Sequence, residues 1–161
     1  MFASDSMLRQ IATDECGTPD RVADCAPRFH GAVLFYYYED LPASVSWYER
    51  HLGLTKRFDE GWVVIFELTP GNYIGLVDAR EGFLQSLPVQ GKSSLIALET
   101  QDLDDWYARL RDQDDVRLVQ PLGIGSKGLT ERFLIADPGG YVIEFFRWCR
   151  APAGWRAGAD D

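Results

Sequence analysis

The chain contains two copies of one pattern, and this repeat limits its fold more than any other feature. "VLFYYYEDL" (33–41) and "SLIALETQDL" (94–103) both run from alternating bulky residues into an Asp-Leu pair. A Trp-Tyr pair follows in each half, at 47–48 and at 106–107. Further on, "TPGNYIGLV" (69–77) aligns without gaps on "DPGGYVIEF" (137–145). A duplicated unit of this size buries its sheet face against its twin.

The elements inside each copy follow from local signals. Asp40 suits a helix N-cap, Pro42 the first turn and Gly53 the stop. Leu41, Val45, Tyr48 and Leu52 recur at helical spacing and give one apolar face. "GWVVIFEL", a Pro-Gly-Asn turn at 70–72 and "YIGLVDA" read as strands and their hairpin. In the second copy Leu103, Trp106, Tyr107 and Leu110 mark the helix, and "RLVQP", "RFLIA" and "YVIEFFRW" the strands. Each copy is therefore strand, helix, three strands. The fold class is α+β, with two βαβββ modules, about 32–91 and 92–148, inside one domain at 30–150. Residues 1–29 read as an N-terminal extension, and the small-residue, acidic tail at 151–161 as poorly ordered.

Composition narrows the function. A net charge of −9 opposes nucleic acid and anionic membranes as partners, because both need a basic face. No apolar run approaches a membrane span, and "MFASDSMLRQ" lacks the apolar stretch of a signal peptide, so a cytoplasmic protein is expected. Cys16, Cys25 and Cys149 include no CxxC and read as reduced thiols, with a Cys16–Cys25 disulfide as the alternative. With two histidines, neither near a nucleophile motif, covalent catalysis has no support.

"EDLPASVSWYERHLGL" and "DPGGYVIEFF" resemble the glyoxalase, bleomycin-resistance and extradiol-dioxygenase superfamily, whose members are also called vicinal oxygen chelate proteins. The resemblance spans roughly 32–148 and implies paired βαβββ modules curled into a half-open barrel. It also implies a concave face that holds a divalent metal or a metal-free ligand pocket. Metal enzymes of that superfamily place a His seven residues before the Asp of each Asp-Leu pair, and an acid or His on each module's last strand. Here those positions are Val33, Leu95, Glu144 and, by the ungapped alignment, Leu76. Glu67 aligns with Ile135 rather than with Glu144, and His30 falls on the opposite strand face from Val33. His51, near a helix end, reads as a carbonyl cap or a solvated side chain. A tight divalent site needs three or four convergent donors, so no metal and no other cofactor is expected.

Strand alternation assigns the concave face instead. Val33, Phe35 and Tyr37 share it, while Leu34, Tyr36 and Tyr38 pack under the helices. Leu95, Ala97 and Glu99 share it in the second module, and on the last strand Glu144 goes with Val142, Phe146 and Trp148. Ligand-binding candidates are thus Phe35, Tyr37, Glu99, Glu144, Phe146 and Trp148, and no Arg is expected to share the ligand face with them on these strands. Two neighbouring carboxylates among π faces favour a planar or extended aromatic ligand with a positive charge or a hydrogen-bond donor. "GIGSKG" (123–128) reads as a flexible hairpin loop near the pocket mouth. The leading function is metal-independent small-molecule binding, for sequestration of a drug or metabolite, by a homodimer. The alternatives are a lyase, isomerase or dioxygenase using Glu144 as base or ligand, and a regulatory or structural homodimer with a vestigial pocket.

Overall fold

The computed structural model describes residues 31–82 and 92–155. The expectations placed on the 1–29 extension, on Cys16, Cys25 and His30, and on the end of the tail lie outside the described residues. The first module comprises β1 (Ala32–Tyr38), α1 (Leu41–Leu52), β2 (Lys56–Asp59), β3 (Val63–Thr69) and β4 (Asn72–Asp78). The second comprises β5 (Leu95–Glu99), α2 (Leu103–Leu110), β6 (Arg117–Gly125), β7 (Thr130–Ala136) and β8 (Val142–Trp148). Each forms a four-stranded mixed sheet, in the orders β1-β4-β3-β2 and β5-β8-β7-β6, and neither sheet closes into a barrel. The first strand pairs parallel with the last in both modules, and the other pairings are antiparallel.

The helix signals work as written. The Asp40 side chain accepts from Ala43 N at 3.0 Å, which satisfies one of the free N–H groups at the start of α1. Gly53 adopts φ 66, a left-handed cap that costs a glycine little, and its N–H donates to Glu49 O. Strand β2 escapes a pattern reading because all four of its residues are exposed, so no alternation marks it.

Packing under the helices builds one continuous core. Tyr36 and Tyr38 on β1, Trp47 and Tyr48 on α1, and Phe66 and Ile74 join Phe133, Ile135, Ile143 and Phe145 of the second module. Each fully buried side chain of this kind contributes roughly 1.5–3 kcal/mol. Leu34, assigned to the same side, is 38 % exposed. β1 is an edge strand, with a neighbour on one side only, and its first residues escape cover.

Polar clamps fasten the modules together. The carboxylate of Asp137, from the "DPGG" turn, accepts from Tyr38 Oη at 2.6 Å and Tyr48 Oη at 2.9 Å, both of the first module. It also accepts from Tyr141 N at 2.8 Å. Burial pushes the Asp137 carboxyl above its usual range, against these donors, and pushes the two phenols well above theirs. Tyr141 stacks on Tyr36 with centroids 3.8 Å apart, and its hydroxyl accepts from Tyr37 N at 3.0 Å. On the helix side, Trp47 Nε1 donates to Asp115 O at 2.9 Å, and Arg109 donates to the carbonyls of Arg50 and His51. These are end carbonyls of α1, which attract a cation. His51, expected to cap carbonyls or to be solvated, is instead buried beside the Asp115 carboxylate at 2.9 Å. The His51 hydrogen bond holds the Asp115 carboxyl below its usual range.

Candidate functional site

The face opposite the helices is built by strand alternation. On β8, Ile143 and Phe145 enter the core, so Val142, Glu144, Phe146 and Trp148 turn the other way. The pairing register sets Ala97 opposite Glu144 and Glu99 opposite Phe146. On the other flank, Arg132 stands opposite Phe146 and Thr130 opposite Trp148.

This arrangement answers why a carboxylate sits in the middle of a strand. Arg132 Nη1 lies 2.7 Å from Glu144 Oε2, and both side chains are largely shielded from water. A buried carboxylate is tolerated when a charge pairs with it. Glycine makes room for the guanidinium: a β-carbon at position 125 would collide with the Arg132 side chain. Gly123–Gly125 are therefore part of β6, not of a flexible loop, and only Ser126–Gly128 form a short 3-10 turn. The face thus holds an Arg, contributed by β7, a strand outside those to which the expectation of no Arg applied.

Glu99 has a different partner. Trp155 Nε1 donates to Glu99 Oε2 at 2.9 Å, and its ring meets Trp148 edge-on at 5.2 Å. Phe146 meets Trp148 edge-on at 5.5 Å. The first part of the tail, expected to be poorly ordered, thus lies on the face. Glu99 and Glu144 each have their own donor, so mutual repulsion between them no longer sets what the face prefers.

Of the six ligand-binding candidates, the second sheet brings together Glu99, Glu144, Phe146 and Trp148. Phe35 and Tyr37 belong to the first sheet. Phe35 lies over Gly75, where a β-carbon would collide with its ring, and remains 44 % exposed. Tyr37 packs beside Val77 and Gly82. Phe58 stands opposite Ile65, which stands opposite Gly75, so an apolar row continues across that sheet.

The register also corrects the repeat alignment. Phe35 and Ala97 hold the same place before their Asp-Leu pairs, and their parallel partners are Gly75 and Glu144. The mate of Glu144 is thus Gly75, while Leu76 points into the core. The displacement is the same on the strand before the turn, where Ile65 faces Gly75 and Leu134 faces Glu144, so the Pro-Gly pairs of the two turns sit one place out of step with their strands. The same one-residue slip puts Glu67 on the concave side, opposite Tyr73, where Arg57 Nε donates to it at 2.8 Å. The four positions of the superfamily's metal site are then Val33, Leu95, Gly75 and Glu144, and Arg132 already holds the one carboxylate. This donor set does not fit a divalent cation. Among the described residues no three His, Cys, Asp or Glu side chains converge elsewhere.

Sequence reasoning missed Arg132, Thr130 and Trp155. The first two were within reach, since period-two alternation along "TERFLIA" places them opposite buried Phe133 and Ile135. Nothing local marks Trp155.

Comparison with known proteins agrees with this geometry. The fold is similar to a glyoxalase/bleomycin resistance protein/dioxygenase from Nocardioides, with TM-score 0.68 at 22% identity, covering 86% of this chain and 95% of that one. It is similar to a lactoylglutathione lyase from Agrobacterium tumefaciens, with TM-score 0.60 at 18% identity, covering 76% and 96%. It is also similar to TioX from Micromonospora sp. ML1, with TM-score 0.60 at 20% identity, covering 73% and 98%. No curated protein matches the sequence. The family model for the Glyoxalase/Bleomycin resistance protein/Dioxygenase superfamily matches residues 30–145, and the chain belongs to that superfamily.

Proposed function

We propose that the protein is a metal-independent small-molecule-binding member of its superfamily, which sequesters a planar aromatic ligand carrying an N–H donor. The observation that carries this reading is Trp155. A planar aromatic ring with one N–H donor already rests on the face, giving its hydrogen to Glu99 and its edge to Trp148. A free ligand of that shape meets the same acid and the same π faces. The enzyme alternative needs Glu144 as a base, and Arg132 occupies that carboxylate. The same reading keeps a homodimer, since Phe35, Phe58 and Trp62 stand exposed on the first module.

The test is titration of the full chain with 9-aminoacridine, followed by quenching of tryptophan fluorescence. Saturable binding of one acridine per chain is expected. Glu99→Leu removes a charge-assisted hydrogen bond worth about 1.5–3 kcal/mol, and so weakens binding about tenfold or more. Absence of saturation, or an affinity unchanged by Glu99→Leu, rejects the reading.

A further inference from the structure

Three buried polar atoms on the second module's face have no hydrogen-bond partner among the described residues. They are Thr130 Oγ1, Arg132 Nε and Trp148 Nε1. Buried polar groups of folded proteins are nearly always paired, because an unpaired one forfeits its bonds to water. Three on one patch are therefore a signal rather than scatter. The pairing register puts them there: Thr130 is opposite Trp148, and Arg132 is two residues along the same face of β7. Thr130 is 3 % exposed. All three groups carry a hydrogen to donate.

We infer that Thr130, Arg132 and Trp148 form a subsite for an oxygen acceptor on the ligand, a carboxylate or a carbonyl. The inference rests on the proposed binding of an aromatic molecule and adds its second polar end. Glu99 takes a donor at one edge of the ring, and the three donors take an oxygen at another. The guanidinium suits the task, because its Nη1 neutralises Glu144 while Nε stays uncommitted. Access depends on Trp155, which rests on Trp148. Residues 151–155 are exposed throughout, and Trp155 itself is 50 % exposed. The contacts of its indole with Glu99 and Trp148 hold this segment on the face, and a ligand that replaces the indole meets Trp148, whose partner across the ladder is Thr130.

The experiment compares 9-aminoacridine derivatives carrying a carboxylate at ring position 2 or 4 with the matching methyl compounds. With the full chain, one of the carboxylates is expected to bind about tenfold more tightly than its methyl counterpart. Thr130→Val keeps shape and Trp148→Phe keeps an aromatic ring; each removes one donor, and both shrink that preference to a few-fold. Thr130→Val also raises the melting temperature of the ligand-free protein, by about 2–4 °C, because it deletes an unpaired buried hydroxyl. A carboxylate preference absent at both positions, with the methyl acridines still bound, overturns the subsite and leaves the aromatic reading standing. A melting temperature lowered by Thr130→Val also overturns it, since the hydroxyl then has a structural partner. If no acridine binds, both readings fall.

Discussion

Asp137 offers the sharpest test of how the two modules are held. Its carboxylate takes hydrogens from Tyr38, Tyr48 and Tyr141 N. Asp137→Ala removes the acceptor and leaves three buried donors. The two phenols, 3.2 Å apart, still share one bond, so one phenol and one N–H are orphaned. At about 1–3 kcal/mol each, the loss is roughly 2–6 kcal/mol, a large part of the 5–15 kcal/mol typical of a domain. Asp137→Asn behaves differently. Its oxygen accepts from Tyr141 N, its NH2 donates to the phenol oxygens, and each phenol is free to rotate, so the cost stays within about 1 kcal/mol. Ionisation adds a pH signature. The folded-state value of Asp137 lies above the ordinary one, so its stabilising contribution is complete below about pH 4 and is lost as pH rises through the folded value. The Asn variant has nothing to ionise there and gains on wild type over the same interval. Urea unfolding followed by circular dichroism at pH 4, 5.5 and 7 measures all three proteins. Equal losses for Ala and Asn, or a gap between Asn and wild type that does not change with pH, would refute the reasoning.

Arg132→Leu leaves Glu144 buried without its cation and is expected to cost about 3–5 kcal/mol, while Arg132→Leu with Glu144→Leu recovers most of that; denaturant midpoints check both. Dialysis against zinc, nickel, manganese and ferrous iron followed by elemental analysis is expected to leave no stoichiometric metal, and one lost on Glu144→Ala would contradict the donor set described here. Light scattering at micromolar concentration is expected to give a dimer mass, and Trp62→Glu, which charges an exposed apolar face, to shift it toward the monomer.

The repeat was legible because both halves keep the residues that build their elements: the Asp-Leu helix starts and the Pro-Gly turns. Face assignment along β1 and β8 was legible too, since Tyr36, Tyr38, Ile143 and Phe145 alternate cleanly into the core. The mate of Glu144 was not. The Pro-Gly pairs of the two turns sit one place out of step with the strands around them, and a one-place shift exchanges the two faces of a strand. An ungapped match cannot display that. Trp155 was illegible for another reason. Its partners, Glu99 and Trp148, lie far along the chain or across a turn, and only the folded sheet makes them neighbours. Asp137 stands in a turn motif that marks nothing more in the sequence, and its two phenol partners come from the other module.

The clamps between the modules bear on the kinetics of binding. Asp137 joins them at one turn, Tyr141 grips the backbone of β1, and Arg109 grips the end of α1. Prying the sheets apart breaks all of these at once, and with them the shared core. Lifting Trp155 breaks one hydrogen bond and one edge-on ring contact. The cheaper motion is the local one, so, on the proposed binding, the rate of ligand entry is expected to follow the tail and not the stability of the domain. Subdenaturing urea, which lowers global stability, then leaves the association rate nearly unchanged, while shortening the chain before Trp155 raises it.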